Sequence, residues 1–215
     1  MSIAEKFETI ADAVYKKGLS DGSGTGDDYR KTFWGVIQNN GNPTNYVYAF
    51  YGSTWTDEIY DPQHDFVVQG NANNMYYGAY ITDTKKTIDI SGSGVKANTG
   101  SMFQNSKIKR IAKLKLKEDG SNSLSKCFDG CTQLEEIEIE GKIGKSVSFA
   151  DSPLIVAIMK NVIKHLQDYS GTSNEFSYSI TFSSECKTAL EAEGTTSPNG
   201  NLWSEYIDDL GWTLL

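Results

Sequence analysis

Two short runs set apolar and charged residues in strict alternation. Lys113 to Lys117 reads K-L-K-L-K, and Glu136 to Glu140 reads E-I-E-I-E. A period of two puts Leu114 and Leu116 on one face of a strand and the lysines on the other. Ile137 and Ile139 follow the same rule against their glutamates. The apolar series extends upstream through Ile108 and Ile111 in one run and Leu134 in the other. TIDI, with Ile88 and Ile90, is an earlier and weaker rung.

A second pattern runs in step with the first. MYYGA at Met75, MFQNS at Met102, CFDGC at Cys127 and SFADS at Ser148 each carry an aromatic at the second position and a small residue at the fifth. Their starts are 27, 25 and 21 residues apart. Self-similarity at such a period indicates stacked turns, each adding one strand to a parallel sheet and one aromatic to the interior. The charged alternations lie 23 residues apart, about one turn. Stacked in register, Lys113 faces Glu136, Lys115 faces Glu138 and Lys117 faces Glu140. Opposite charges on neighbouring strands contribute roughly 0.2–1 kcal/mol per pair. This ladder also accounts for the basic run KIKRIAKLKLKE without a nucleic-acid partner.

The flanks read differently. Ser2 and Glu5 form a capping-box pair, and Ile3, Phe7, Ile10 and Val14 share one face of a helix that runs to about Lys17. That face is either packed on its own domain or an assembly seam for another chain. After the linker SDGSGTGDD, the segment DDYRKTFWGVIQNNG predicts a second helix, with Tyr29, Phe33 and Ile37 on a face. Residues 42–80 are aromatic and polar, with Tyr46, Tyr48 and Phe50 alternating as in a strand. Downstream, SPLIVAIMKNVIKHLQDYSG predicts a helix with Leu154, Ile158, Val162 and Leu166 around one face. Ile155, Met159 and Ile163 widen that face. FSYSITF predicts a strand, SSECKTALEAEG a serine-capped helix, NLWSEYIDDLG a short helix and WTLL a last strand. The expected architecture is mixed α/β: N-terminal helices, a short irregular solenoid with a parallel sheet, and a C-terminal α/β cap. The expected divisions are a helical attachment segment over 1–41, the aromatic-rich segment and repeats over 42–153, and the cap over 154–215.

Composition narrows the chemistry. The 215 residues carry a net charge of −8, with a pI near 4.8. That balance argues against binding to a phosphate backbone. No run of about 18 apolar residues predicts membrane insertion, and MSIAEKFETIADAV has no long apolar h-region, so synthesis in the cytoplasm without signal-directed export is expected. Cys127 and Cys131 invite a metal or disulfide reading, but Cys131 fills the slot of Ala79, Ser106 and Ser152, which makes it a buried free thiol. Zinc would need further ligands, and the chain has only His64 and His165. The glycine-rich linker lacks the Lys-Ser/Thr of a phosphate loop, and Asp21, Asp27 and Asp28 do not match a calcium loop. No nucleophile motif or metal-ligand pair on a helix is present, so no enzyme and no cofactor are expected.

FQNSKIKRIAKLKL and FDGCTQLEEIEIE resemble the leucine-rich repeats of BspA-like surface proteins, whose pattern runs roughly A-F-x-x-C-x-x-L-x-x-I-x-I-P. Met102 and Cys127 stand where that pattern has Ala, and the terminal Pro is missing. With its flanks, MSIAEKFETIADAV, NPTNYVYAFYGSTWTDEIYDP and the ending GWTLL, the chain is similar to phage and prophage proteins of gut Firmicutes. The resemblance implies a virion structural protein of the tail or tail fibre, localised to the virion and carrying no enzymatic residues. Its implied partners are other virion proteins, further copies of itself, and a host cell-surface protein or glycan. A BspA-like bacterial surface adhesin and a head-decoration or collar protein remain as alternatives.

Overall fold

The computed structural model describes residues 52, 66–68, 70–80, 83–92, 99–172 and 177–215. Among them the chain is mixed α/β, with two small parallel sheets and three helices. The first sheet has the order β1 (Phe66–Val67), β2 (Asp83–Asp89), β3 (Arg110–Lys115) and β4 (Glu136–Glu140), each pair parallel. Parallel neighbours require the chain to return to the same end before each strand. The return is made by the aromatic segments.

Those segments share one backbone design. In each, the N–H of the fifth residue donates to the carbonyl of the second: Ala79 to Tyr76, Ser106 to Phe103, Cys131 to Phe128 and Ser152 to Phe149, at 2.9–3.1 Å. The first three segments reverse through left-handed backbone at the fourth position (Gly78, Asn105 and Gly130) and just ahead of the segment (Asn74, Ser101 and Lys126). Glycine and asparagine tolerate that region best, which accounts for the residues at the fourth position. Adjacent turns are joined by hydrogen bonds such as Tyr76 N–H to Met102 O (2.7 Å) and Asn105 N–H to Asp129 O (2.8 Å).

The second-position rings are fully buried and stack: Tyr76 on Phe103 (5.2 Å), Phe103 on Phe128 (6.0 Å) and Phe128 on Phe149 (4.6 Å), with interplanar angles of 4–14°. The small fifth-position residues, Ala79, Ser106, Cys131 and Ser152, are buried beside them. Leu114 and Leu116, and Ile137 and Ile139, point inward as the alternation requires. At the end of β4 the chain must pass close to the previous turn. Gly141 has φ +88°, and a Cβ there would lie 2.3 Å from Leu116 O.

Beyond β4 the pattern changes hands. Helix α1 (Val156–Lys164) lies alongside β4 instead of another strand. A second parallel sheet then forms from β5 (Val147–Phe149), β6 (Tyr178–Phe182) and, past α2 (Ser184–Glu191) and α3 (Trp203–Asp209), β7 (Trp212–Leu214). Phe182 of β6 adds a fifth ring, 6.0 Å from Phe149. The boundary expected between residues 153 and 154 is therefore crossed by β5–β6 pairing and by the ring stack. Ser183 caps α2, its Oγ accepting from Cys186 N–H at 3.2 Å.

Helix α1 is shorter than the 152–171 span the periodicity predicts. Leu154 and Ile155 precede the helix, Ile155 with extended backbone and 52% exposed. After Lys164 the chain pairs with an earlier turn, Gln167 N–H donating to Ile143 O and Ile143 N–H to His165 O, both at 2.8 Å. Leu166 thus reaches the core from a bridge rather than from a helix. The predicted N-terminal helices, with Ile3, Phe7, Ile10 and Val14, and the alternation at Tyr46, Tyr48 and Phe50 lie outside the described residues.

Phe128 sits between two rings with no exposed surface. Phe128→Ala is expected to cost about 3–5 kcal/mol, as for other buried aromatic truncations, measured by urea unfolding. A loss below about 1 kcal/mol would contradict the stack as a packed column.

Candidate functional site

Strand alternation delivers one charged surface. Asp89 of β2 and the residues of β3 and β4 that do not enter the core stand together on the outer face of the first sheet. Arg110 Nε lies 3.2 Å from Glu136. Lys113 Nζ lies between Glu138 (3.0 Å) and Glu140 (3.4 Å). Lys115 Nζ lies between Asp89 (3.7 Å) and Glu140 (3.4 Å). Three cations thus face four carboxylates, all at least one-fifth exposed.

This arrangement corrects the expected register. Lys113 does not face Glu136, nor Lys115 Glu138. Arg110 pairs with Glu136 and Lys115 with Glu140 as strand neighbours. The cause is an irregularity: Ile111 pairs with Ile137 and Leu114 with Ile139, so β3 spends three residue steps where β4 spends two. A bulge of this kind shifts every later pairing. Lys117 falls beyond the end of β3, and its backbone N–H is taken by Asn122 Oδ1 at 2.8 Å. Arg110 and Asp89 belong to the network and were not foreseen. The signal for Arg110 was legible: R-I-A-K-L separates two apolar residues by three positions, which a flat strand cannot place on one face.

The pairs hold the lysines in their charged form. The hydrogen bond to Glu138, with help from Glu140, raises the ammonium of Lys113 above 10.5, while the charge of Asp89, then Glu140, raises that of Lys115. A raised lysine contributes stability fully below the unfolded value, and that contribution disappears as pH climbs through the higher folded value. The lysines' contribution is therefore present at neutral pH and is lost as they deprotonate in strong alkali. Its solvent exposure makes each pair weak and salt-sensitive.

Helix α1 rises beside β4 and turns part of this face into a groove of about 550 Å³. The floor carries Arg110, Ala112, Glu136 and Glu138. The wall carries Ala157, Ile158, Asn161 and His165 from α1 and its cap. His165 Nδ1 lies 2.8 Å from Gly141 O. A carbonyl only accepts, so Nδ1 is the donor. Asn161 Oδ1 is covered and has no hydrogen-bond partner.

The cysteines do other work. Cys131 Sγ donates to Phe103 O at 3.0 Å and lies 3.6 Å from Ser106 Oγ. All three thiols are free and buried. Desolvation pushes Cys131 up to about 11 and Cys127 higher still, which removes the thiolate that nucleophilic chemistry needs. Among the described residues no group of three or more His, Cys, Asp or Glu side chains is placed to hold a metal ion, and no helix is long and apolar enough to cross a membrane.

Two measurements check these assignments. A thiol-titrating disulfide reagent should find no reactive thiol in the native protein and all three after denaturation. A fast-reacting native thiol would contradict the burial of that column. Lys113→Glu should lower the melting temperature by a few degrees, and adding Glu138→Lys should recover part of it. Lys115→Glu with Glu138→Lys should recover none, because Lys115 reaches Asp89 and Glu140 instead.

Comparison with known protein families, curated proteins and solved structures finds no match for the chain.

Proposed function

We propose that this chain is a structural protein of a bacteriophage particle, part of the tail or a tail fibre, and that it works by contact rather than catalysis. In this reading the stacked turns form a short, irregular leucine-rich-repeat solenoid. The residues around Ile3, Phe7, Ile10 and Val14 attach it to neighbouring virion proteins or to further copies of itself. The charged outer face of β2–β4 meets a partner, a virion protein or a host surface.

The observation that carries the contact reading is the division of labour across the first sheet. One face of β3 and β4 enters the core, with Leu114, Ile137 and Ile139 buried, while the other, joined by Asp89 of β2, presents seven charged side chains in one continuous field. Such a field adds little stability when exposed, but it sets orientation and partner choice in protein recognition. The placement in a virion is supported by the sequence resemblance, from the repeat segments FQNSKIKRIAKLKL and FDGCTQLEEIEIE to the ending GWTLL.

Mass spectrometry of gradient-purified particles, released by lysis from a producing host, tests the placement. The chain should co-purify with the particles at a fixed ratio to the tail proteins and be labelled there by antibody in negative-stain images. Particles that lack it, alongside intact non-induced cells that display it, would replace this reading with a surface adhesin.

A further inference from the structure

The carboxylates of β4 are not used equally. Glu140 spends both oxygens on ion pairs, Oε1 on Lys115 and Oε2 on Lys113. Glu136 uses only Oε2, toward Arg110, and Glu138 only Oε1, toward Lys113. Among the described residues no hydrogen bond or ion pair reaches Glu136 Oε1 or Glu138 Oε2. These two half-used glutamates, and not Glu140, line the groove beside α1. They are 50% and 56% exposed.

The opposite wall, Ala157, Ile158, Asn161 and His165, adds no lysine or arginine. Lys160, on the same helix, is turned away to Glu193 and the Trp203 ring. A carboxylate has about four lone-pair sites and accepts from more than one donor. The groove therefore asks for cationic hydrogen-bond donors. A phosphate chain would meet carboxylates. A glycan would find no aromatic side chain among the lining residues to stack on. For a metal ion, the described residues offer no group of three or more His, Cys, Asp or Glu side chains placed to hold it.

We propose that the groove between β4 and α1 docks an extended basic segment of a partner protein, with arginine or lysine at alternate positions pairing with Glu136 and Glu138. Alternate residues of an extended chain lie roughly 6.6 Å apart on one face, the spacing of those two glutamates along β4. The five residues of β4 set the length of segment that fits. This inference rests on the sheet face being a protein contact, but not on the particle in which the contact is made.

The test is fluorescence anisotropy of the full chain with labelled Arg-Ser alternating, Arg-Arg-Ser-Ser block and Gln-Ser peptides of equal length. The alternating peptide should bind best and the neutral one not at all. Glu138→Gln and the groove-filling Ala157→Trp should each weaken the alternating peptide roughly tenfold or more. Glu185→Gln removes the same charge from exposed α2, outside the groove, and should leave binding unchanged. Circular dichroism and melting curves confirm that each variant is folded. Equal loss in Glu185→Gln, or no loss in Ala157→Trp, would mean general attraction to an acidic protein and would overturn the groove. Equal binding of the alternating and block peptides would overturn the strand-like register. A chain found in particles that binds none of the peptides sinks the groove alone.

Discussion

The contact of Tyr76, Phe103, Phe128, Phe149 and Phe182, ring upon ring, holds the remaining structure in place. Stacked rings are worth about 0.5–1.5 kcal/mol per pair beyond their burial. The larger effect is collective. A turn of some 25 residues cannot cover its own aromatic, so each ring is buried only because the next turn lies over it. Strand pairing, the hydrogen bonds between turns and the small fifth-position residues all follow from fixing that spacing. Stability in such a stack is passed from neighbour to neighbour, and the Phe149–Phe182 contact carries it past the end of the first sheet into the second.

Much of this was legible in the sequence. The aromatic second position and small fifth position located four turns, and the K-L-K-L-K and E-I-E-I-E alternations gave the inward and outward residues of β3 and β4. Periodicity could not show what interrupts it. The extra step between Ile111 and Leu114 moved the charge pairing, and a count of 23 residues between the two runs had no means of including it. Helix α1 was overextended because an apolar run looks alike in a helix and in the bridged segment that follows. Only the long-range pairing of Ile143 with Leu166 separates them. The groove was invisible for the same reason: its floor and wall come from segments some 20 to 50 residues apart in the chain.

The charges on the outer face belong to a different category from the rings. They are exposed, screened and individually weak, yet they are arranged so that unused valence is concentrated on Glu136 and Glu138. The interior, in turn, holds its few polar side chains by local means. Asn122 bridges Lys117 N–H and Ile90 O across two turns, and Thr99 Oγ1 donates to Ser123 O. Fold and recognition thereby rest mainly on different side chains.

Helix α1 has a consequence apart from the groove. Parallel strands that add one beside another have no intrinsic stopping point, and a bare final strand is a template on which other chains can polymerise. By placing a helix next to β4, whose backbone pairs internally, the chain ends the series with an element that cannot be copied. The helix acts as a terminator of growth, fixing how many strands the first sheet has and keeping that edge from seeding fibres where many copies are crowded together.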